Sequence, residues 1–440
     1  MSRLSVIGLG KLGACSAACF ASKGFEVVGV DINRDFVDAI NDGKAPVSEP
    51  MLQELITSSK GKLRATQEYG EAIRESDITF LIVPTPSRED GHFSDRYLQD
   101  ALKHLSAGLK EANKDYHLFV ITSTVSPGAT EESLISLIES TSGKKLNKDF
   151  GVCYNPEFIA LGSVITDFLN PDIVLIGESN QFAGDQLEEI YEVVCENEPY
   201  IARMSIASAE MTKISLNSYV TMKISFANTL ANICEAIPGT DIDDITRALG
   251  ADKRISPYYL KGGLAYGGPC FPRDNRAFAA FSQKYGYDAL LAKTTDRVNK
   301  LQLDYLVEKV LRYIPEANTT AVSVLGLAYK PNTPVIEESP AIAIIEKLLE
   351  KDLQVIAYDP LAMDNTRAHF GDNILYASSI KDCFLYASLC IITTQTDEFK
   401  SIDESYIVHN PTTIIDCWRI LDVVELGNKV KYVALGKAQK

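Results

Sequence analysis

Histidine is scarce in this 440-residue sequence: there are five, and none falls in the motifs described below. Dehydrogenase mechanisms built on a histidine base, and zinc sites built on histidine ligands, are therefore poor fits. The nine cysteines are scattered and odd in number, with no CxxC pair and no Cys/His zinc spacing. Neither a metal site nor a disulfide framework is expected. Cys19, Cys195 and Cys390 sit in apolar strings, where a small buried thiol is the default, and the pattern suits a reducing cytoplasm. Basic residues are also short, 43 Lys and Arg against 59 Asp and Glu, for a net charge of −16. That excludes the basic footprint of a general nucleic-acid or anionic-membrane binder. No apolar run approaches membrane-spanning length, no cationic leader with a cleavage site is expected, and no internal repeat stands out.

The length calls for two or three domains. Apolar strands are expected at 4–8, 26–30, 78–83, 118–122 and 173–177, with a strand-like GVCY at 151–154. Helical patterns between them predict a doubly wound, mostly parallel α/β sheet. Residues 207–237 contain no Gly or Pro and predict one unusually long helix, stopped by Pro238 and Gly239. Further helix is expected at 242–249 and 288–313, around a glycine-rich loop at 262–268. A second α/β pattern follows, with strands at 321–326, 354–358, 389–393 and 413–416 and a helix near 340–350. The expected fold is two Rossmann-like doubly wound parallel-sheet domains joined by a central helical domain. The boundaries are 1–200, 201–314 and 315–440, with a homodimer formed through the helical part.

Four motifs carry chemistry. The first is GLGKLG, which is Gly8, Leu9, Gly10, Lys11, Leu12 and Gly13, with Asp31 at the end of the next strand. Glycines allow a tight turn and close approach of a pyrophosphate to a helix N-terminus, and the acid suits ribose hydroxyls, so NAD is expected rather than NADP. The second is YGGPCFPRD at 266–274, where Cys270 has Arg273 and Asp274 close behind it. A thiolate there can capture an aldehyde; the competing reading is a buried cysteine in a tight turn. The third is Lys213 and Asn217, one turn apart on the long helix, able to donate to a developing oxyanion, or else merely a solvated polar face. The fourth is NPEF at 155–158, with the strand-end segments VPTP at 83–86, which contains Thr85, and STV at 123–125, which contains Thr124.

In this order the motifs resemble the UDP-glucose/GDP-mannose dehydrogenase family, over essentially the whole chain. INDGKAPVSEP at 40–50 and GLAYKPNT at 326–333 add to the match. The resemblance implies a soluble cytoplasmic enzyme with an NAD-binding Rossmann domain and a C-terminal UDP-sugar domain, performing a four-electron oxidation with two NAD per sugar. It implies Cys270 as nucleophile, with Lys213, Asn217 and Asp274 around the reacting oxygen and Thr124 and Glu157 completing the catalytic set. Thr85, Thr124 and Arg273 fall at cofactor positions. Glu157, Phe158, Ile159, Lys213, Asn217, Tyr259, Leu260, Lys261, Gly262, Gly263, Gly267 and Lys330 fall at substrate positions, with Arg419 a candidate for an anionic part of the substrate. The expected substrate is UDP-glucose, converted to UDP-glucuronate through a thiohemiacetal and a thioester on Cys270. The alternatives are a UDP-N-acetylhexosamine or GDP-mannose, or a non-catalytic NAD-binding sensor. The chain departs from the family pattern at Leu161, where UDP-glucose enzymes have a second Glu, and at Ala160, Glu337 and Phe36.

Overall fold

The computed structural model describes residues 2–112, 114–317 and 320–438. It divides into two compact units, Met1–Ser215 and Leu216–Lys440. The second holds both the second sheet and most of the helical middle segment.

The first unit is built on eight strands: β1 (Leu4–Ile7), β2 (Val27–Val30), β3 (Leu63–Thr66), β4 (Ile78–Leu81), β5 (His117–Ile121), β6 (Phe150–Tyr154), β7 (Ile173–Glu178) and β8 (Tyr200–Ser205). Their order is β3-β2-β1-β4-β5-β6-β7-β8. All pairs are parallel except β6 with β7. The central strands are apolar on both faces, as a parallel sheet covered by helices on each side requires. One face packs on Phe20, Phe80 and Phe168, the other on Leu102, Leu105 and Phe119.

The second unit carries six parallel strands: β9 (Ala321–Leu325), β10 (Gln354–Tyr358), β11 (Leu375–Tyr376), β12 (Leu389–Ile392), β13 (Thr412–Asp416) and β14 (Val430–Ala434), in the order β11-β10-β9-β12-β13-β14. Both sheets therefore start third-second-first-fourth, the dinucleotide-fold order, although the sequence shows no repeat. The likeness reaches the first turn. Gly8 N donates to Val30 O at 2.7 Å and Gly326 N to Tyr358 O at 2.8 Å, each glycine at φ near +95°. Leu9 N donates to Asp31 Oδ2 at 2.6 Å, and Leu327 N to Asp359 Oδ2 at 2.7 Å.

The long helix runs Ile206–Ala236, as expected from its unbroken pattern. The helices Ile242–Gly250 and Leu290–Ala317 also form, and Phe271–Lys284, starting directly after Cys270, was not anticipated. The strands that the pattern misses, β3, β8, β11 and β14, are the four sheet edges. Edge strands tend to be polar on at least one side, so they lack the continuous apolar run that marks a central strand.

Candidate active site

In the first unit, the three glycines of the turn do different work. Gly8 sits at φ +94°, and a Cβ on it would lie 2.4 Å from Ile82 O. A Cβ on Gly13 would lie 1.8 Å from Gly8 O, so this glycine lets the helix Lys11–Ser22 close onto the strand. Around Gly10 nothing lies within 4 Å. Gly10 is also the helix N-cap, with no side chain capping it, so the first N–H groups and the open space together suit a pyrophosphate. Lys11 is exposed at the mouth and Leu12 is half-buried. Leu9 contributes its main chain only; its side chain is buried over Gly29. Asp31 accepts from Leu9 N and, at 2.8 Å, from Asn33 N, which fixes the carboxylate at the end of β2.

Thr85 is buried and Thr124 half-buried. Ser123 ties their two segments together: its Oγ accepts from Val83 N at 2.9 Å and donates to Val83 O at 2.8 Å. The same loop is anchored by Glu210, which sequence reading missed. Its fully buried carboxylate accepts from Gly128 N at 2.5 Å and Thr130 N at 3.1 Å. Glu49, quoted only within a motif, holds the segment after Ile159, accepting from Gly162 N at 3.2 Å and Val164 N at 2.9 Å. Leu161 and Phe36, two of the departures, pack against the core.

Lys213 and Glu157 meet. Lys213 is buried, not a solvated face; its Nζ donates to Glu157 O at 2.5 Å and stands 4.6 Å over the Phe158 ring. The Glu157 carboxyl hydrogen-bonds with Tyr191 Oη at 3.0 Å, and Tyr191 Oη donates to Asn155 Oδ1 at 2.6 Å. Burial pushes Glu157 up to about 7, against the opposing pull of Lys213.

In the second unit, Asn217 Nδ2 donates to Asp274 Oδ2 at 2.6 Å, and Arg273 Nε donates to Asp274 Oδ1 at 3.1 Å. Asp274 is fully buried in the first turn of Phe271–Lys284. Cys270 is the N-cap of that helix and is exposed, while seven of the other eight cysteines are buried and Cys195 is partly so. An accessible sulfur at a helix N-terminus is where a thiolate is stabilised.

In the glycine-rich loop the missing side chains admit the protein's own chain. A Cβ on Gly263 would meet Cys417 O at 2.8 Å and the Trp418 ring at 2.9 Å. On Gly262 it would meet Ala227 O at 2.7 Å, and on Gly267 Glu338 O at 2.1 Å. Arg419 is engaged within the chain. Its guanidinium, 4% exposed, grips Asp243 through Nε at 2.7 Å and Nη2 at 2.8 Å, and donates to Gly262 O and Leu435 O, both at 2.8 Å. It braces the loop. Of the other substrate candidates, Tyr259 is exposed at φ +59° and Leu260 is buried. Lys261 donates to Gln395 at 3.0 Å, Lys330 is half-buried, and Phe158 and Ile159 are half-buried beside Glu157. No cluster of potential metal ligands occurs among the described residues, and no helix there is long and apolar enough to cross a membrane.

The UDP-glucose/GDP-mannose dehydrogenase family matches in three consecutive parts: its NAD binding domain over residues 2–195, its central domain over 207–301 and its UDP binding domain over 323–423. The chain is 38% identical to a UDP-glucose 6-dehydrogenase of Haloferax volcanii, over 95% of this chain and 97% of the relative. It is 37% identical to a GDP-mannose 6-dehydrogenase of Pseudomonas syringae pv. tomato, over 86% of this chain and 84% of the relative. Among solved structures, a UDP-glucose dehydrogenase from Pyrobaculum islandicum superposes with a TM-score of 0.90 at 31% identity, covering 100% of this chain and 98% of the other. A UDP-D-ManNAc dehydrogenase from Pyrococcus horikoshii gives 0.84 at 25% identity, covering 99% of each chain. The protein therefore belongs to the UDP-glucose/GDP-mannose dehydrogenase family, and its N-terminal unit carries that family's NAD binding domain.

Proposed function

We propose that the protein is a UDP-glucose 6-dehydrogenase that oxidises the sugar's primary alcohol to a carboxylate in two steps on Cys270. The observation that carries the reading is the exposed Cys270 at a helix N-terminus, one turn from an Asp274 carboxylate gripped by Asn217. The turn of residues 8–13 would hold NAD, which would supply the hydride acceptor, one molecule for each of the two oxidations. Asp274, directly or through water, takes the hydroxyl proton as the alcohol becomes an aldehyde. The Cys270 thiolate adds to the aldehyde carbon, forming a C–S bond and a thiohemiacetal, so no free aldehyde escapes. Loss of a second hydride leaves a thioester. Water then attacks its carbonyl carbon, the C–S bond breaks, and the thiolate is regenerated as the uronate departs. Asn217 donates to the oxyanion in these steps. Lys213, Thr124 and Glu157 keep the roles that the family gives their positions: oxyanion donor, site hydroxyl and assistance to hydrolysis.

UDP-glucose is favoured by the Haloferax and Pyrobaculum relatives. One observation favours a second reading. Leu161 replaces the second Glu of UDP-glucose enzymes, as in relatives acting on UDP-N-acetylhexosamines, and it is packed on the core where a carboxylate would not be. A homodimer is supported by Tyr219, Phe226 and Ile233, exposed apolar side chains recurring every seven residues on the long helix. A cytoplasmic location is supported by cysteines that form no disulfide among the described residues. NADH is to be counted per sugar consumed, over UDP-glucose, UDP-N-acetylglucosamine, UDP-N-acetylmannosamine and GDP-mannose. Two per UDP-glucose supports the reading. Two per another sugar replaces the substrate, one means that oxidation stops at the aldehyde, and none with any sugar despite NAD binding removes the enzyme reading.

A further inference from the structure

We propose that Tyr191 and Asn155 are positioning residues that assign Glu157 its proton, so that the resting protein holds this carboxyl as a neutral hydrogen-bond donor. The inference deepens the functional reading above and rests on it for its catalytic consequence.

Asn155 lies just past β6 and is 2% exposed. Its Nδ2 donates to Leu175 O on β7 at 2.9 Å, which fixes the amide so that Oδ1 faces Tyr191. Tyr191, on the helix Gln181–Val194, has one hydroxyl hydrogen. The shorter of its two contacts, 2.6 Å, is to Asn155 Oδ1, an atom that can only accept. The hydrogen is committed there. Glu157 Oε1 stands 3.0 Å from the same phenol oxygen. Two oxygens at that distance need a hydrogen between them, and the phenol has none left, so Glu157 supplies it. The chain then runs in one direction: Glu157 O–H to Tyr191, Tyr191 O–H to Asn155, Asn155 N–H to Leu175 O. Every donor in it is used once.

The groups facing Glu157 from the neighbouring elements are few. Lys213 on the long helix favours the ionised form. Cys19, on the helix Lys11–Ser22, and Cys195, just after Gln181–Val194, face it as thiols, and burial raises both so that they stay neutral. Burial of Glu157 itself works in the same direction as the hydrogen count. The consequence is that Glu157 in the resting state donates a proton and cannot accept one. To assist hydrolysis as a base it must first ionise, which requires the Tyr191 hydrogen to turn away from Asn155.

The test is the Glu157 protonation midpoint, read from the protonated-carboxyl C=O stretch in infrared difference spectra of the parent minus Glu157→Gln across pH 5 to 9. The parallel readout is the pH profile of kcat. In the parent the midpoint is expected near 7. Tyr191→Phe removes the acceptor of the neutral carboxyl, so the midpoint should fall by about one pH unit, a tenfold change. Asn155→Ala frees the phenol hydrogen to bond the carboxylate and should lower it likewise; if that variant does not fold, Tyr191→Phe alone decides. A midpoint that rises in Tyr191→Phe would mean that the phenol had been donating to a carboxylate, and an unmoved midpoint would mean that the relay sets nothing. Either overturns the proposal. Because the infrared signal needs no turnover, failure of the dehydrogenase reading and failure of this one are distinguishable.

Discussion

Replacing Gly10 and Gly13 one at a time separates cofactor recognition from folding within a single six-residue turn. Gly10 has φ −70° and ψ −165°, extended backbone open to any residue, and its missing Cβ points into space empty to 4 Å. Gly10→Ala should leave the folded chain intact and stabilise it by about 0.4–1 kcal/mol, because alanine restricts the unfolded chain. The added methyl occupies the path of the pyrophosphate, so the Kd for NAD should rise at least about tenfold, or about 1.4 kcal/mol. Gly13→Ala is the opposite case. Its Cβ would stand 1.8 Å from Gly8 O, where a carbon contact needs about 3.5 Å. The helix must move by roughly half of that contact distance, and overpacking of this kind costs about 1–3 kcal/mol or more. Calorimetric titration with NAD and urea unfolding of the three proteins give both quantities. If Gly10→Ala bound NAD as tightly as the parent while Gly13→Ala was equally stable, the assignment of roles within the turn would be refuted.

Cys270→Ala should abolish uronate formation yet leave NAD affinity within about twofold, as equilibrium binding would show, because the cofactor turn lies elsewhere in the chain. Arg419→Ala leaves the partly exposed Asp243 and the buried Gly262 O and Leu435 O without its donors, so the urea midpoint should drop by the equivalent of about 1–3 kcal/mol, with Arg419→Lys recovering only part, since it cannot grip two oxygens at once. Glu157 has a folded pKa raised from 4.5 to about 7, so its contribution is fully present below pH 4.5 and is lost as pH rises through 7. Relative to Glu157→Gln, the parent should lose about 3 kcal/mol over that interval in unfolding measurements at a series of pH values. Phe226→Asp, at an exposed apolar position of the long helix, should shift the protein from dimer to monomer in sedimentation equilibrium.

The readable parts of the site were local. The glycine turn and Asp31 are legible because backbone conformation and strand ends are set within a few residues. Cys270 stood out for its company, Gly267 and Gly268 before it and Asp274 behind, although those glycines proved to serve close packing on Glu338 and Tyr329. What stayed hidden was pairing at a distance. Arg419 reads as a spare cation because its partner, Asp243, is 176 residues away. Glu210 looks like one more polar residue on a helix until its carboxylate is found capping Gly128 and Thr130, about eighty residues earlier. Tyr191 belongs to no motif, and its importance arises only where β6, β7 and the helix between β7 and β8 converge on Asn155 and Glu157. The central strands announced themselves by apolar runs; the sheet edges, β3, β8, β11 and β14, did not.

The two matching turns, after β1 and after β9, differ in how much acceptor capacity their carboxylates keep open. Asp31 has two backbone donors from its own chain and is partly open to solvent, so it keeps lone pairs for a newcomer. Asp359, at the equivalent point of the second sheet, is 4% exposed and accepts from Leu327, Ala328, Leu361 and Ala362, four N–H groups of its own loops. The same acid on the same scaffold keeps open acceptor sites in one half and is a rivet in the other. Nothing in the strand order distinguishes them; the difference is only how many lone pairs the neighbouring loops have already claimed. A search for ancient or engineerable nucleotide sites in this fold would therefore do better to rank strand-end carboxylates by unclaimed acceptor capacity than by motif.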